Sequence, residues 1–343
     1  MRIVPPPSAA RNRPPVLEII KRFLVNIVCV FIPLKKHRDS IREYFLFPRI
    51  QLGSPRLPIK KRARPINLAF GFDGGFARQT GVALASLLTN SKDRCSYNIY
   101  CVVDDSVTRR QRDVLAEMVK TLDQDSTLTF LEANQYFDQA RRGSWALAIY
   151  YRLMLPVLLP EIDEIIYADG DVIFVRDLLE TADLDLGENL MAGVVEGADG
   201  YICSGFLVMN LARLRREKTY EVWREEARRE YYEFPDQCLI NATCRGRILY
   251  LPVKYNVCHL MYHSYRLGFV PPQDIHDLQY NAVMLHYIRR PKPWKYKNNK
   301  DAWNRLWWEY AKLTPFYESL LAELKFGLVL ALSLSLSLSL LTV

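Results

Sequence analysis

The stretch that decides the fold is Ile165-Ile166-Tyr167-Ala168-Asp169-Gly170-Asp171-Val172-Ile173-Phe174-Val175. Its first apolar run is short, β-branched and aromatic, which predicts a buried strand. Two carboxylates follow at the carboxyl end of that strand, where open α/β sheets bind ligands. Residues i and i+2 of an extended segment point to the same side, so Asp169 and Asp171 can reach one hard cation. For this motif alone, solvated acids in a turn are the alternative.

Strands and helices alternate on both sides of this motif. The strand candidates are Ile66 to Gly71, Tyr97 to Val103, Met191 to Val195, Phe206 to Asn210 and Ile248 to Leu251. Helices are predicted at Thr80 to Leu88, after a capping box of Thr108 and Gln111, and from Trp145 to Leu159. This rhythm predicts an α/β fold, with a mostly parallel Rossmann-like sheet and helices on both faces.

The charge distribution separates a basic leader from the rest of the 343-residue chain. Residues 1–65 hold 15 Lys/Arg and 3 Asp/Glu, whereas the remaining residues hold 31 and 35. Because the basic character lies outside the core, we expect no nucleic-acid groove in the folded domain. The seven cysteines form no Cys-x-x-Cys pair, which favours reduced thiols and a cytoplasmic location.

The leader also carries an apolar run that suggests membrane contact. Phe23 to Leu34 is uncharged and is flanked by Lys21-Arg22 and Lys35-Lys36. Spanning a bilayer takes about 20 residues, and no small-residue cleavage site follows the run. The pattern favours a membrane-associating leader over residues 1–65, peripheral at the inner, anionic face of the cell membrane. The alternative is a disordered arm.

The C-terminal region has two parts. Residues 301–325 are predicted to be a helical segment, and residues 326–343 a Leu/Ser low-complexity tail without a catalytic role. An aromatic-basic stretch begins just before this segment and could face sugars or an anionic membrane. Packing of a helix on the core, with the lysines solvated, is the alternative. The stretch consists of Trp294, Trp303, Trp307, Trp308, Lys292, Lys295, Lys297 and Lys300.

A second group of polar residues follows an apolar strand near the end of the chain. His286 ends the run Val283-Met284-Leu285, and Lys292 follows on a loop stiffened by Pro291. A neutral imidazole can complete a Mn²⁺ site begun by carboxylates, and a lysine can pair with a phosphate as a point charge. In isolation, a hydrogen-bonded core histidine is the simpler interpretation of His286.

Taken together, these motifs resemble a known family. Their order is Asn67 to Phe76, Tyr151-Arg152-Leu153, Tyr167 to Asp171, Ser204-Gly205 with Asn210-Leu211, Asp236-Gln237 with Asn241, and His286-Tyr287 to Trp294. From about residue 66 to 296 the chain is similar to glycosyltransferase family 8, of the bacterial lipopolysaccharide galactosyl/glucosyltransferase type. The resemblance implies a GT-A fold, with a catalytic domain over residues 66–300.

The resemblance also implies an activity. The enzyme would transfer galactose or glucose from UDP-galactose or UDP-glucose, with retention at the anomeric carbon. The acceptor would be a saccharide or a lipid-linked glycan. Asp169, Asp171 and His286 would hold Mn²⁺, with Mg²⁺ as the alternative ion. Such an ion balances the charge that develops on a diphosphate leaving group.

Further residues take roles from the same resemblance. Asp73 and Gly75 would meet the uracil and ribose, Lys292 would contact the diphosphate, and Cys203 and Ser204 would belong to the donor site. Arg152, Asp236 and Gln237 would surround the donor sugar as catalytic groups. Asp236 and Gln237 are the candidates for a nucleophile, but glutamine is a weak one. We therefore interpret the pair as positioning groups and leave the retaining mechanism open.

Two positions depart from the family pattern. Cys203 stands where the family usually has asparagine, and Arg289 replaces the usual glycine after His-Tyr. They make an inactive sugar-nucleotide or membrane-binding homologue conceivable. An Asp-x-Asp phosphohydrolase with an aspartyl nucleophile is a further alternative. The late position of the motif and the His286–Lys292 block fit that chemistry poorly.

Overall fold

A computed structural model describes residues 16–33, 37–38, 61–133, 135–258, 278, 281–288, 290–297 and 301–324. Its main element is a seven-stranded sheet in the order β3-β2-β1-β4-β7-β6-β8. The strands are β1 (Ile66–Gly71), β2 (Tyr97–Val103), β3 (Thr127–Glu132), β4 (Glu164–Ala168), β6 (Met191–Val195), β7 (Ile202–Asn210) and β8 (Ile248–Leu251). A smaller sheet, in the order β5-β10-β9, contains β5 (Val172–Phe174), β9 (Val257–Cys258) and β10 (Met284–His286).

The main sheet is mostly parallel, as predicted. β1 pairs in parallel with β2 and β4, β2 with β3, and β6 with β8. β7 is antiparallel to both β4 and β6. The carboxyl ends of β1 and β4 therefore meet the amino end of β7 at one edge. The chain passes from β1 outward to β2 on one side and later adds β4 on the other, which makes this edge a switch point where α/β sheets bind ligands.

The described helices include α1 (Val16–Val30), α2 (Ala77–Ser91), α3 (Arg109–Leu122), α4 (Tyr151–Leu158), α5 (Leu211–Arg216), α6 (Thr219–Arg229), α7 (Pro235–Thr243) and α8 (Ala302–Ala311), and residues 317–324 are also helical. Most of them lie between these strands in the chain, whereas α1 precedes β1 and α8 follows β10. The predicted capping box is confirmed, since the Thr108 hydroxyl accepts the Gln111 amide and the Gln111 side chain accepts the Thr108 amide. None of the described helices is long and apolar enough to cross a membrane.

The predicted helix from Trp145 to Leu159 begins later than expected. A 3₁₀ turn spans Leu147–Tyr150, and α4 starts at Tyr151. The preceding residues are held to the α6 end instead. Arg141 donates its amide to Ala227 O (2.7 Å), and Trp145 Nε1 donates to Glu233 O (3.0 Å). These long-range bonds keep Trp145 outside the helix.

The strands bury both faces, which places helices on both sides of the sheet. Along β1, Leu68 and Phe70 pack into one core with residues of α2, α3 and α8, whereas Ala69 points into a second core with α4, α6 and α7. Adjacent strand residues point to opposite faces, and every face of a central strand must be covered. The predicted helices on both faces are therefore confirmed.

The aromatic-basic stretch packs on the core. Trp294, Trp303, Trp307 and Trp308 are buried in the cluster that covers the α2 face. Trp308 Nε1 donates to Pro293 O (3.2 Å), and Lys297 Nζ lies over the Trp308 ring. These contacts favour the helix-packing interpretation, because buried indoles are inaccessible to a sugar or a membrane. Lys300 and the Leu/Ser tail at 326–343 lie outside the described residues.

α1 presents an apolar face outward. Ile20, Phe23, Leu24 and Ile27 are exposed at helical spacing, together with Phe31 just beyond the helix end. Val25 and Cys29, which lie on the opposite side of a 3.6-residue helix, are buried. An exposed apolar face of this width is uncommon on a surface surrounded by water alone.

Candidate active site

A cavity of about 750 Å³ opens at the carboxyl edge of β1 and β4. Ten of the eleven predicted site residues line it: Asp73, Arg152, Asp169, Asp171, Cys203, Ser204, Asp236, Gln237, His286 and Lys292. Gly75 is the exception. Its amide donates to Asp73 Oδ1 (2.9 Å), so it shapes the turn that carries Asp73. Residues separated by more than 200 positions in the sequence thus meet at one sheet edge.

Asp169, Asp171 and His286 form a candidate metal site. One potential ligand atom from each lies within 4.8 Å of the others. His286 Nε2 is 3.1 Å from Asp171 Oδ1 and 3.7 Å from Asp169 Oδ2. The pairing of β10 with β5 produces this proximity, because it sets His286 opposite Val172, the residue after Asp171. Two carboxylates and one imidazole suit Mn²⁺, so the donor set fits the ion implied by the sequence.

Glycine is required beside two of these ligands. A Cβ at Gly205 would lie 2.2 Å from His286 Cε1 and 3.0 Å from Asp169 Oδ2. A Cβ at Gly170, inside the Asp-Gly-Asp motif, would lie 2.4 Å from Thr80 Oγ1. All three distances are shorter than van der Waals contact. The absent side chain at Gly205 lets the imidazole and the carboxylate converge.

Two of the candidate metal ligands, Asp171 and His286, have strongly shifted pKa values. Burial alone would raise the pKa of Asp171, but His286 and Lys292, whose Nζ lies 2.7 Å from Asp171 Oδ2, hold that pKa well below its usual range. Burial alone would lower the pKa of His286, but the Asp171 carboxylate outweighs it and raises the pKa to about 10. His286 Nδ1 meets Asn256 Oδ1 at 3.0 Å, which orients the ring with Nε2 toward the carboxylates.

Arg152 joins the metal site to the second pair of candidate catalytic residues. Its Nη2 donates to Asp169 Oδ1 (2.7 Å), and its Nε lies 3.0 Å from Asp236 Oδ2. The side chains of Arg152 and Asp236 are 5% and 4% exposed. Burial raises the pKa of Asp236, although Arg152 works against this. A single buried cation therefore contacts two carboxylates.

Ser204 holds both Asp236 and Gln237 in place. The Ser204 hydroxyl donates to Asp236 Oδ2 (2.8 Å), and the Ser204 amide donates to Gln237 Oε1 (3.0 Å). Gln237 Nε2 donates in turn to Glu196 Oε2 (3.3 Å). The start of β7 is thereby tied to the start of α7. Such restrained side chains can orient a substrate with little reorganisation.

Sequence reasoning missed several partners of this site. Tyr167 OH donates to Asp169 Oδ1 (3.0 Å), and this contact had a signal, since both residues lie on one side of an extended segment. Asn256 and Glu196 carried no signal, because each reaches the site only through the tertiary fold. Of the two departures, Cys203 is a buried thiol in the cavity wall, and burial raises its pKa. Arg289 lies outside the described residues.

Comparison with known proteins identifies the family. The sequence model of a protein family, described as Glycosyl transferase family 8, matches residues 67–298. Lipopolysaccharide 1,3-galactosyltransferase of Salmonella typhimurium is 23% identical over 256 residues, which cover 68% of this chain and 74% of that protein. Lipopolysaccharide glucosyltransferase WaaO of Escherichia coli is 22% identical over 253 residues, which cover 67% and 72% respectively.

Solved structures agree on the fold. Galactosyltransferase LgtC, crystallised with donor and acceptor sugar analogs, matches with a TM-score of 0.62 at 21% identity. The match covers 73% of this chain and 96% of that one. The predicted GT-A architecture is thereby confirmed. With the family model spanning more than half of its residues, the chain belongs to glycosyl transferase family 8.

Proposed function

We propose that this protein is a metal-dependent retaining hexosyltransferase, acting in lipopolysaccharide or surface glycan synthesis. It would move galactose or glucose from UDP-galactose or UDP-glucose to a saccharide or lipid-linked glycan. The observation that carries the proposal is the convergence of Asp169, Asp171 and His286 beside Lys292 in one cavity. A metal ion held by such ligands and a neighbouring lysine stabilise the negative charge that develops on a diphosphate leaving group. In this proposal, residues 66–300 are the catalytic domain.

Each group of residues has a distinct task in this proposal. Asp169, Asp171 and His286 would hold Mn²⁺, or Mg²⁺, and the bound ion would neutralise charge on the diphosphate. Lys292 would pair with a phosphate oxygen in place of its bond to Asp171. Asp73 and Gly75 would meet the nucleoside. Arg152, Asp236 and Gln237 would position the donor sugar, together with Cys203 and Ser204.

A panel of UDP-sugars, assayed with and without Mn²⁺, tests this function. Release of UDP from UDP-galactose or UDP-glucose that depends on Mn²⁺ would support it. Hydrolysis of phosphomonoesters instead would indicate the phosphohydrolase. Binding of Mn²⁺–UDP without turnover of any UDP-sugar would indicate the inactive homologue.

His286 and Lys292 are predicted to affect UDP binding in different ways. His286→Ala should weaken Mn²⁺ binding measured by calorimetry in the presence of UDP, because it removes a ligand. Lys292→Ala should weaken UDP binding but leave Mn²⁺ binding intact, since it removes a cation that competes for Asp171. Lys312→Ala, which removes an exposed ion pair with Glu309 away from the cavity, is the control. If His286→Ala binds Mn²⁺–UDP as tightly as the wild type, His286 is a core histidine and not a ligand.

We also propose that residues 1–65 attach the protein to the inner face of the cell membrane. The exposed apolar face of α1 would insert shallowly into an anionic surface, and the basic residues around it would bind the headgroups. Each basic residue near such a surface contributes about 1 kcal/mol before screening. This arrangement would place the cavity of a cytoplasmic enzyme beside lipid-linked acceptors.

Removal of the leader should abolish most vesicle binding while leaving UDP-hexose turnover intact. The full chain and a protein that begins at Lys61 are sedimented with vesicles of anionic lipid. Phe23→Ser with Ile27→Ser should reproduce much of the loss, because both side chains lie on the exposed face of α1. Leu313→Ser, at an exposed leucine elsewhere, is the matched control. Undiminished vesicle binding without residues 1–60 would show that another part of the chain binds the membrane.

A further inference from the structure

Two exposed aromatic side chains line the mouth of the catalytic cavity. Trp145 is 44% exposed and Phe234 is 45% exposed, although both are large apolar residues. Their ring centroids are 6.3 Å apart and the planes are inclined by 58°. Both rings belong to the same cavity as the candidate catalytic residues. Neither has a task in the activity proposed above.

The backbone holds this aromatic pair in place. Trp145 Nε1 donates to Glu233 O (3.0 Å), the residue directly before Phe234. Arg141, at the start of the Trp145 loop, donates its amide to Ala227 O and its Nε to Arg228 O (3.1 Å). The two loops are therefore fastened to each other and to the end of α6. Large aromatic rings that are exposed to solvent and held in place by hydrogen bonds are typical of a binding surface.

The pair continues directly into the site that would hold the reacting sugar. Phe234 precedes Pro235 and Asp236 at the start of α7, and Trp145 lies seven residues before Arg152. The apolar lining extends inward from the pair through Ala146 and Ile149. The ionic groups Asp169, Asp171, His286 and Lys292 line another part of the same cavity. The cavity thus has an ionic part suited to a metal diphosphate and an apolar part at Trp145.

The chemistry of the apolar part fits a sugar ring. A hexopyranose has a face made mainly of C–H groups, while its hydroxyls point outward around the ring edge. Aromatic side chains bury such a face without needing to satisfy polar groups, and their ring surface is large and rigid. Pockets for small polar ligands commonly combine apolar walls with a few placed polar groups.

The geometry points to Trp145 and Phe234 as the platform on which the terminal hexose of the acceptor saccharide stacks. This inference rests on the proposed function, because it assigns the second substrate of the same site. A ring seated on the platform lies beside Asp236 and Gln237, where the donor sugar would be transferred. The aromatic pair therefore determines the affinity for the acceptor and leaves the binding of the donor to the ionic part.

Saturation-transfer NMR tests the platform without requiring turnover. The full chain, with Mn²⁺ and UDP, is titrated with lactose and with methyl β-galactoside and methyl β-glucoside. The protons on one ring face of at least one of these sugars should receive the strongest saturation from the protein. Trp145→Ala and Phe234→Ala should each lower the affinity for that sugar about tenfold, since an aromatic contact is lost. Trp145→Phe should recover most of the affinity.

Two controls separate this result from general damage. Tyr250→Ala removes an exposed tyrosine outside the catalytic cavity and should leave saccharide binding unchanged. Calorimetry should give the same Mn²⁺–UDP affinity for wild type, Trp145→Ala and Phe234→Ala. An unchanged Mn²⁺–UDP affinity would show that the ionic part of the cavity is still folded in both aromatic variants.

The outcomes distinguish the platform from the proposed function. Saccharide binding that depends on Trp145, without turnover of UDP-galactose or UDP-glucose, would support the platform and overturn the transferase. Turnover of UDP-hexose with saccharide affinities that are equal in all variants would overturn the platform and support the transferase. Failure of the wild type to bind any of the three sugars would also overturn the platform.

Discussion

Asp171→Asn is expected to lower hexose transfer by roughly a thousandfold or more, because it weakens the bound ion that stabilises charge in the transition state. The substitution keeps the size of the side chain and removes its charge. Asp171 Oδ1 contacts His286 Nε2, and Asp171 Oδ2 contacts Lys292 Nζ. No other described residue contacts both of these side chains in this way, so none can replace the Asp171 carboxylate. Turnover of the donor selected by the UDP-sugar panel is the measurement.

The thermal unfolding midpoint and a control variant show whether the loss is specific. Asp183→Asn removes a carboxylate that pairs with Arg62 outside the catalytic cavity, and it should retain full transfer. Asp171→Asn should unfold near the wild-type temperature yet fail to respond to added Mn²⁺. Transfer at the wild-type rate in EDTA would contradict the metal-dependent mechanism.

Local sequence patterns predicted four strands with their observed bounds, β1, β2, β6 and β8, each of which contains at least four residues with an apolar pattern. Length alone was not sufficient, because the six-residue β3 was missed and β7 begins at Ile202 instead of the predicted Phe206. β5 and β9 contain three and two residues, which is too few for any periodicity. They become strands only because β10 pairs with both of them after the chain has folded.

The candidate site could be predicted as a set of residues but not as a network. The motifs named ten residues that the fold brings into one cavity. The sequence contains no sign that Arg152 would pair with Asp169 and Asp236 at once, because the three lie on different elements. Nor could it show that the four tryptophans near residue 300 are buried while Trp145 is exposed. Periodicity indicates which residues share a face, and only the tertiary fold determines what covers that face.

The second large predicted effect concerns the stability of the fold, and it follows from substitution of Arg152. Arg152→Met should lower the free energy of unfolding by about 3–5 kcal/mol, because it leaves two carboxylates without their buried cation. The methionine fills similar space, so the loss of packing is small. Urea denaturation at about pH 8 measures the effect. Arg109→Met removes only a solvent-exposed ion pair with Asp113 and should leave the unfolding curve unchanged.

The pH dependence of unfolding, together with a double variant, tests whether Asp236 causes the stability loss of Arg152→Met. Burial already raises the pKa of Asp236, and the loss of Arg152 should raise it further. A group whose pKa is higher in the folded than in the unfolded state stabilises the fold at low pH, and this stability is lost as pH rises through the folded-state pKa. The deficit of Arg152→Met should therefore be smaller at about pH 5 than at pH 8. Adding Asp236→Asn should restore part of the stability at pH 8, since one buried charge is then removed. Equal deficits at both pH values, with no recovery in the double variant, would show that Arg152 stabilises the fold by packing and not by charge.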